Sequence, residues 1–259
     1  MARVTVYEGT LTDIADAIRY RAGNEDTYKP GDMAAAIMNI SSGGSADSFV
    51  EKTLTEYTNA NATQIWGYTF YRCTKLATVY LPNITSIGEN AFYFCSSLDI
   101  DNTTAFPKVA SIGSNAFGYS ALDSFTGNSS LTTLSDRAFA NATLLKTVDL
   151  KDSNVTEIQY STFNGCSKLE YVDLGDKITL IDDMAFYYCS SLKTVIIRTN
   201  YVPELSTSYV FGSSGITKNI GYIYVHKDIL EDYQTATGWS GYSSQLRAIE
   251  DYPEICGEV

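Results

Sequence analysis

The chain has 259 residues, of which 44% are hydrophobic and 19% are charged, a balance typical of a globular protein with one or two domains. Its formal net charge of −12 at pH 7 would repel phosphate backbones and anionic lipid headgroups, which disfavours nucleic acid as a partner. No stretch approaches the roughly 18 apolar residues of a membrane span, and the first residues contain no signal-peptide core. We therefore expect a soluble chain that is neither inserted into a membrane nor exported by the Sec pathway.

Residues 1–40 predict a small module of two helices. Thr10 or Thr12 can cap the first helix and Pro30 opens the second. Each helix has apolar residues that share one face, namely Ile14, Ala17 and Ile18 in the first and Met33, Ile37 and Ile40 in the second. Residues 41–48 are rich in serine and glycine and predict a flexible linker. Because this module is too short to bury a sizeable core, we expect it to attach or homo-oligomerise the rest of the chain.

A repeat begins after the linker. Its phenylalanines lie at 70, 92, 117, 139, 163 and 186, so the steps are 22, 25, 22, 24 and 23 residues, which is the period of leucine-rich repeats. An Ile or Leu always lies five residues before the Phe. The pattern predicts an α/β repeat solenoid over residues 49–220, with six clear repeats and an incomplete seventh at Leu205 and Phe211. Each repeat should contribute a short parallel strand and a short helical turn that seats the Phe, and stacked repeats bury a common core.

The strand of each repeat reads Leu-x-x-Val-x-Leu. Its alternation should turn Val148 and Leu150 inward, and Thr147 and Asp149 outward. The second repeat lacks the Val-x-Leu ending over residues 99–107, so we expect the sheet to bulge or shift there. Residues 221–259 should form a C-terminal cap.

Four of the five cysteines occupy one position, three residues after the Phe, where Ser120 and Ala142 stand in other repeats. A metal or disulfide role would not tolerate Ser or Ala, so we interpret Cys73, Cys95, Cys166 and Cys189 as small, buried, reduced and metal-free. The strip of tyrosines just after the Phe is interpreted as turn packing (Tyr71, Tyr93, Tyr187 and Tyr188).

The outward strand positions are free of core packing and are the candidate ligand-binding residues: Tyr80, Asp149, Tyr171, Asp173 and Ile196. Tyrosine and apolar side chains on a solvated face suit contact with protein or sugar, although exposed tyrosine also reflects ordinary strand preference. Asp149 and Asp173 should lie about 5 Å apart on adjacent strands. Such like charges need a cation or a lysine between them, so a weak calcium site is an open alternative.

Catalysis is not expected. His226, the one histidine, has no nucleophile motif near it in sequence, and phosphate-binding loops and zinc-protease motifs do not occur. We therefore predict no catalytic residues, no cofactor and no bound metal.

Residues 85–98, Thr-Ser-Ile-Gly-Glu-Asn-Ala-Phe-Tyr-Phe-Cys-Ser-Ser-Leu, resemble the BspA-like class of leucine-rich repeats. The resemblance extends over residues 50–259, because residues 222–240 are similar to the C-terminal cap of that family, with His226 where a proline is usual. The resemblance implies a non-catalytic adhesion protein on a cell surface or a virion. It also implies binding to a protein or a glycan on another cell.

Residues 11–19 and 30–37 resemble a small module of phage and prophage tail-associated proteins. Two alternatives to recognition remain at this point. The first is a structural spacer or assembly subunit of a phage tail with no ligand of its own, and the second is a hydrolase with an unfamiliar site.

Overall fold

A computed structural model describes residues 54–257, so the predicted two-helix module and linker, residues 1–48, lie outside the described residues. The described part is built from short strands in chain order, with three short α-helices and three 3-10 helices. The strands are β1 (Glu56–Thr58), β2 (Gln64–Ile65), β3 (Thr78–Tyr80), β4 (Ser86–Ile87), β5 (Ser111–Ile112), β6 (Ser124–Thr126), β7 (Thr133–Leu134), β8 (Thr147–Asp149), β9 (Glu157–Ile158), β10 (Tyr171–Asp173), β11 (Leu180–Ile181), β12 (Thr194–Ile196), β13 (Glu204–Leu205), β14 (Tyr222–Val225) and β15 (Leu246–Ala248). The α-helices are α1 (Asn102–Ala105), α2 (Leu230–Thr235) and α3 (Pro253–Cys256), and the 3-10 helices span Lys227–Ile229, Ser240–Gln245 and Ile249–Asp251.

Two kinds of strand give each coil two sides. The longer strands form one side, as the pair β1-β3 and a six-stranded sheet in the order β6-β8-β10-β12-β14-β15. The two-residue strands form the second side, in the orders β2-β4-β5-β7 and β9-β11-β13. Every pairing is parallel, as stacking of identical coils requires, and the predicted parallel solenoid is confirmed.

The third side of each coil carries the repeated Phe, and its backbone conformation differs from the predicted helical turn. Turns replace the expected helical segment, because residues two before and two after the Phe adopt left-handed backbone angles, as at Tyr68 (φ 62°) and Arg72 (φ 60°) around Phe70. This alternation points the N–H groups of these three residues along the solenoid axis. They donate to the next coil at Glu89, Ala91 and Tyr93 over 2.9, 2.8 and 2.7 Å. In a helix, these N–H groups would instead donate to carbonyls of the same coil.

The repeated phenylalanines form one buried column, as predicted. Neighbouring rings are stacked with centroids 5.1 to 5.4 Å apart and planes within 15° of parallel. Phe211 continues the column at the position of the predicted incomplete seventh repeat, and Leu205 is also buried. The remaining core consists of the inward strand residues, among them Val148 and Leu150, both fully buried. Stacking each coil on the next is therefore what removes these apolar side chains from water.

The predicted burial of the four column cysteines is confirmed. The thiol of Cys95 donates to the carbonyl of Phe70 at 3.0 Å, and those of Cys166 and Cys189 donate to Phe139 and Phe163 at 3.2 Å. Each thiol thus links its coil to the Phe of the coil before it. Burial raises the pKa of these thiols well above its ordinary value, which keeps them protonated and able to donate.

The second repeat departs from the pattern, as its sequence indicates. Helix α1 takes the place of a long strand between β3 and β6, and Asp101 caps it by accepting from the Thr103 amide at 2.9 Å. Asn102 is buried, and its side-chain amide donates to the Thr126 carbonyl at 2.7 Å and accepts from the Thr126 amide at 2.9 Å. A side chain therefore supplies the hydrogen bonds that the missing strand would have made to β6.

The C-terminal end of the core is closed by aromatic residues. The buried Trp239 lies 6.4 Å from the Phe211 ring and donates its indole N–H to the Pro203 carbonyl at 2.7 Å. Tyr242 meets Phe211 edge-on at 5.4 Å. The cap also extends the long-strand sheet through β14 and β15. Within residues 54–257, none of the helices has the length and apolar character needed to cross a bilayer.

Candidate recognition surface

The outward side of the long strands is the predicted recognition surface, and we call it the sheet face. Its side chains alternate with core residues, so Thr147 and Asp149 lie on it while Val148 is buried. Strand pairing aligns these positions in two rows across the coils, with Asp149 beside Asp173 and Ile196 beside Tyr224. The candidate residues are thus brought onto one face, but that face is open only in part.

The N-terminal half of the sheet face is open to solvent. Tyr80 on β3 is 49% exposed, and Thr78, Thr126 and Thr147 are also exposed. The interruption at α1 leaves an open groove of about 530 Å³ beside this region. Six of its eight lining residues have polar side chains, and the full set is Asn102, Thr103, Pro107, Thr126, Gly127, Asn128, Ser129 and Asp152. This half offers hydroxyl, amide and carboxylate groups around one exposed aromatic ring.

The two candidate aspartates each have a cation of the protein beside them. Lys151 lies 3.5 Å from Asp149. The guanidinium of Arg198 holds the fully buried Asp173, with Nε to Oδ2 at 2.9 Å and a second nitrogen to Oδ2 at 2.8 Å. Burial raises the pKa of Asp173, although Arg198 acts in the opposite direction. The repulsion that motivated a calcium site is therefore offset by side chains. Among residues 54–257, no group of three or more His, Cys, Asp or Glu side chains is placed to hold a metal ion.

The C-terminal half of the sheet face is covered by the chain itself. Residues 249–257, which we call the C-terminal clasp, lie over β12 and β14, where Ile249 and Cys256 form a buried cluster with Ile196 and Tyr224. Arg198 fastens the clasp, because it donates to the Cys256 carbonyl as well as to Asp173. The expectation that Ile196 and Asp173 are free on the surface is therefore wrong, since both are fully buried.

Tyr171 lies at the boundary between the covered and the open halves. Its ring is partly buried and packs against the cluster under the clasp. Burial, with the nearby charge of Asp173, raises the pKa of its hydroxyl to about 12. Tyr171 is thus partly committed to holding the clasp, and of the five candidates Tyr80 is the most accessible.

Sequence reasoning missed the clasp and its anchor Arg198. One signal was present, because Ile196 is an apolar residue at an outward strand position, and such a residue indicates that something covers it. Tyr224 repeats the signal on the next strand. Neither residue identifies the segment that forms the cover, because the clasp begins more than 50 residues after Ile196.

His226 has a structural role. Its Nδ1 lies 3.0 Å from a carboxylate oxygen of Glu250 and its Nε2 lies 3.2 Å from the Arg198 carbonyl. Glu250 also accepts from the Lys227 amide at 2.9 Å. Both ring nitrogens are therefore engaged where the clasp begins.

Solved structures of similar fold come from bacteria. A leucine-rich repeat protein of Bacteroides ovatus ATCC 8483 is 19% identical with a TM-score of 0.49, over 66% of this chain and 55% of that one. A leucine-rich cell surface protein of Faecalibacterium prausnitzii A2-165 is 21% identical with a TM-score of 0.44, over 74% of this chain and 63% of that one. The chain thus spans less than two thirds of the length of either protein.

A comparison with curated proteins finds no match. The model of the BspA type leucine-rich repeat region matches six copies over residues 45–117 and 110–227. These segments cover most of the chain and coincide with the stacked coils described above. The chain therefore belongs to the BspA type leucine-rich repeat family.

Proposed function

We propose that this protein is a non-catalytic recognition protein that binds a protein or a glycan through the open half of the sheet face. The observation that carries this proposal is that Tyr80, 49% exposed, stands on a rigid strand among exposed threonines, next to the polar groove at α1. A fixed backbone presents these groups with little loss of conformational entropy on binding. Tyrosine combines a large apolar ring with a hydroxyl, which suits such a surface.

The clasp supports the same proposal, because it is a chain segment that already binds the sheet face. It does so through apolar contact at Ile196 and Tyr224 and through the cation of Arg198. The open half has the same backbone geometry and lacks such a cover among the described residues. A partner that adds an extended or flat surface there would use the same kinds of contact.

We also propose that the protein is not a catalyst. A catalytic centre needs a group free to transfer protons or to attack a substrate in a position that excludes water. The groove at α1 is open, and His226 is engaged by Glu250 and Arg198. We further propose that the protein is displayed on a cell surface or a virion, where a long rigid surface can reach a partner.

The test compares the full chain with Tyr80→Ala on a printed glycan array and on immobilised surface extract of host cells. We expect at least about a tenfold loss of affinity, which corresponds to the 1–2 kcal/mol of one central aromatic contact. Tyr201→Ala is the matched control, because Tyr201 is 40% exposed but lies outside the long strands.

Equal binding by Tyr80→Ala and the parent chain would contradict the sheet-face assignment. Failure of the parent chain to bind any glycan or extract would favour the alternative of a structural spacer without a ligand of its own. Loss of binding in both variants would show that the contact is not local to the sheet face.

A further inference from the structure

The Phe-bearing side of the solenoid, which we call the turn face, differs in charge from the rest of the molecule. In seven repeats, the segment from two residues before the Phe to five residues after it contains no Asp or Glu and four cations, Arg72, Lys75, Arg137 and Lys168. Arg137 pairs with Asp136 at 3.2 Å. The chain as a whole carries a formal charge of −12, so its carboxylates lie outside these segments, with Glu89 beside Tyr68 at the edge of one of them.

The first three coils carry a cluster of half-exposed rings on this face, which we call the turn-face patch (Tyr68, Tyr71, Arg72, Tyr93, Phe94 and Tyr119). Tyr71 and Tyr93 are stacked at 5.6 Å. Phe94 and Tyr119 are stacked at 4.3 Å, and the Tyr93 ring meets Phe94 edge-on at 4.9 Å. The Arg72 guanidinium lies 5.6 Å from the Tyr71 ring and 5.5 Å from the Phe94 ring, which places one cation among the aromatic rings.

Three of these rings stand at backbone positions that disfavour them, and Tyr68 (φ 62°) is the first. Phe94 (φ 59°) and Tyr119 (φ 56°) adopt the left-handed conformation two residues after the column Phe, which bulky residues rarely adopt. The same position holds Asn141 and Gly165 in the two middle coils, the residue types that tolerate this conformation best. Tyr188 and Ser213 occupy it in the sixth and seventh coils, so the left-handed position belongs to the fold, and the first three coils use it to present a cation and two aromatic rings.

The patch is also held in place. The Tyr93 ring lies against the backbone of the next coil at Gly118, where an added Cβ would come within 2.8 Å of the ring. Any larger residue at Gly118 would push the ring away. Packing on the next coil thus restricts the Tyr93 ring before any partner arrives, which lowers the entropic cost of binding.

We propose that the turn-face patch binds a carboxylate-bearing polysaccharide, with sugar rings packed on the tyrosines and Phe94 and a uronate carboxylate on Arg72. Sugar rings have apolar C–H faces and hydroxyl edges, which match aromatic rings that carry hydroxyl groups. A guanidinium binds a carboxylate in a planar, two-bonded geometry. An open surface suits an extended polymer better than a small molecule, which needs an enclosing pocket.

The charge distribution favours an acidic polymer and directs it to the turn face. A negative chain is repelled by most of this molecule, but at the turn-face patch it meets two cations, Arg72 and Lys75, against one neighbouring carboxylate, Glu89 beside Tyr68. This local excess of positive charge orients the chain there. Coils spaced by about 4.8 Å would present successive contacts to a polymer lying along the solenoid axis. This surface is separate from the sheet face, so the inference is independent of the function proposed above.

The test measures binding of the full chain to polygalacturonate, with dextran as the neutral polymer and polyglutamate as the acidic peptide. We expect binding to polygalacturonate that weakens with salt, and little or no binding to dextran or polyglutamate. Phe94→Asn/Tyr119→Asn should weaken binding by about tenfold or more while cooperative unfolding is retained, because Asn141 shows that Asn fits this position. Arg72→Gln should weaken binding and reduce its salt dependence.

Tyr188→Asn is the matched control, because Tyr188 is 56% exposed and left-handed at the same repeat position, but in the sixth coil. It should bind like the parent chain, and so should Tyr80→Ala. Equal binding to dextran would overturn the role of the carboxylate, and equal binding to polyglutamate would overturn the choice of a glycan. No binding to polygalacturonate, or full binding by both Arg72→Gln and the double Asn variant, would overturn the proposal.

Discussion

Truncation of Phe139 tests the central physical claim about this fold, that the Phe column couples the coils. Phe139 is fully buried and has a stacked ring on each side, Phe117 at 5.3 Å and Phe163 at 5.4 Å, with Phe125 at 4.9 Å. Replacing a buried Phe by Ala costs about 3–5 kcal/mol in lost transfer energy and cavity formation. Because three ring contacts are lost with the side chain, we expect a loss in the upper part of that range, about 4–5 kcal/mol.

Phe70→Ala provides the comparison within the same column. Phe70 ends the column, with one stacked neighbour, Phe92 at 5.1 Å, and an edge-on contact to Tyr57 at 5.0 Å. The structure at this end can relax into the space more easily than in the middle, so its loss should be smaller by at least about 1 kcal/mol. A typical domain is stable by roughly 5–15 kcal/mol, so the central truncation removes a large share.

Urea unfolding at 25 °C measures both losses by circular dichroism and by tryptophan fluorescence. Trp66 lies in the first coil and Trp239 closes the other end, so fluorescence that departs from the dichroism curve would reveal uncoupling of the two ends. Tyr201→Ala should leave the midpoint unchanged. A loss below about 1 kcal/mol for Phe139→Ala, or equal losses for Phe139→Ala and Phe70→Ala, would refute the claim that the column couples the coils.

Three further predictions follow from buried polar groups. Arg198→Ala leaves Asp173 buried without its cation, so we expect the free energy of unfolding to drop by about 3–5 kcal/mol. The buried Cys256 thiol should also react faster with a thiol reagent, because the clasp loosens. An unchanged reaction rate would contradict the anchoring role. Ser120→Ala should stabilise the protein by about 1 kcal/mol in urea unfolding, because the buried Ser120 hydroxyl has no hydrogen-bond partner; a destabilisation would contradict it. Burial raises the pKa of the Cys166 thiol above its unfolded value, so its contribution to stability is complete below about pH 8.5 and is lost as pH rises toward the folded value. The urea concentration at the unfolding midpoint should therefore decrease as the pH is raised above that value. In Cys166→Ala, which has the residue that Ala142 supplies in another coil, this decrease should be smaller.

The sequence alone was sufficient to predict the column residues and the parallel stacking of the coils. Phe139, Phe163 and their equivalents recur at a nearly constant spacing, and a spacing shared by many copies permits one common core. The same alternation predicted that Val148 faces inward and Thr147 outward, and both predictions are confirmed. These features depend on contacts between equivalent positions of adjacent repeats, which a periodic sequence displays directly.

The turns around each Phe could not be predicted in this way. The segment contains ordinary residues such as Ala138 and Ala140 that suit a helix, yet it forms turns. The N–H groups of Arg137 and Phe139 donate to the carbonyls of Tyr160 and Thr162 in the next coil, both over 2.9 Å. Hydrogen bonding between coils therefore decides the local conformation, and propensity within one coil does not.

Tertiary structure also decided which part of the sheet face is available. Tyr80 and Ile196 occupy equivalent outward positions in the sequence pattern, yet Tyr80 is 49% exposed and Ile196 is fully buried. The difference arises because Ile249 and Cys256 fold back over Ile196. That contact joins the repeat to a non-repeated segment, so no periodicity encodes it, and its energy comes from burying apolar surface that only the folded chain brings together.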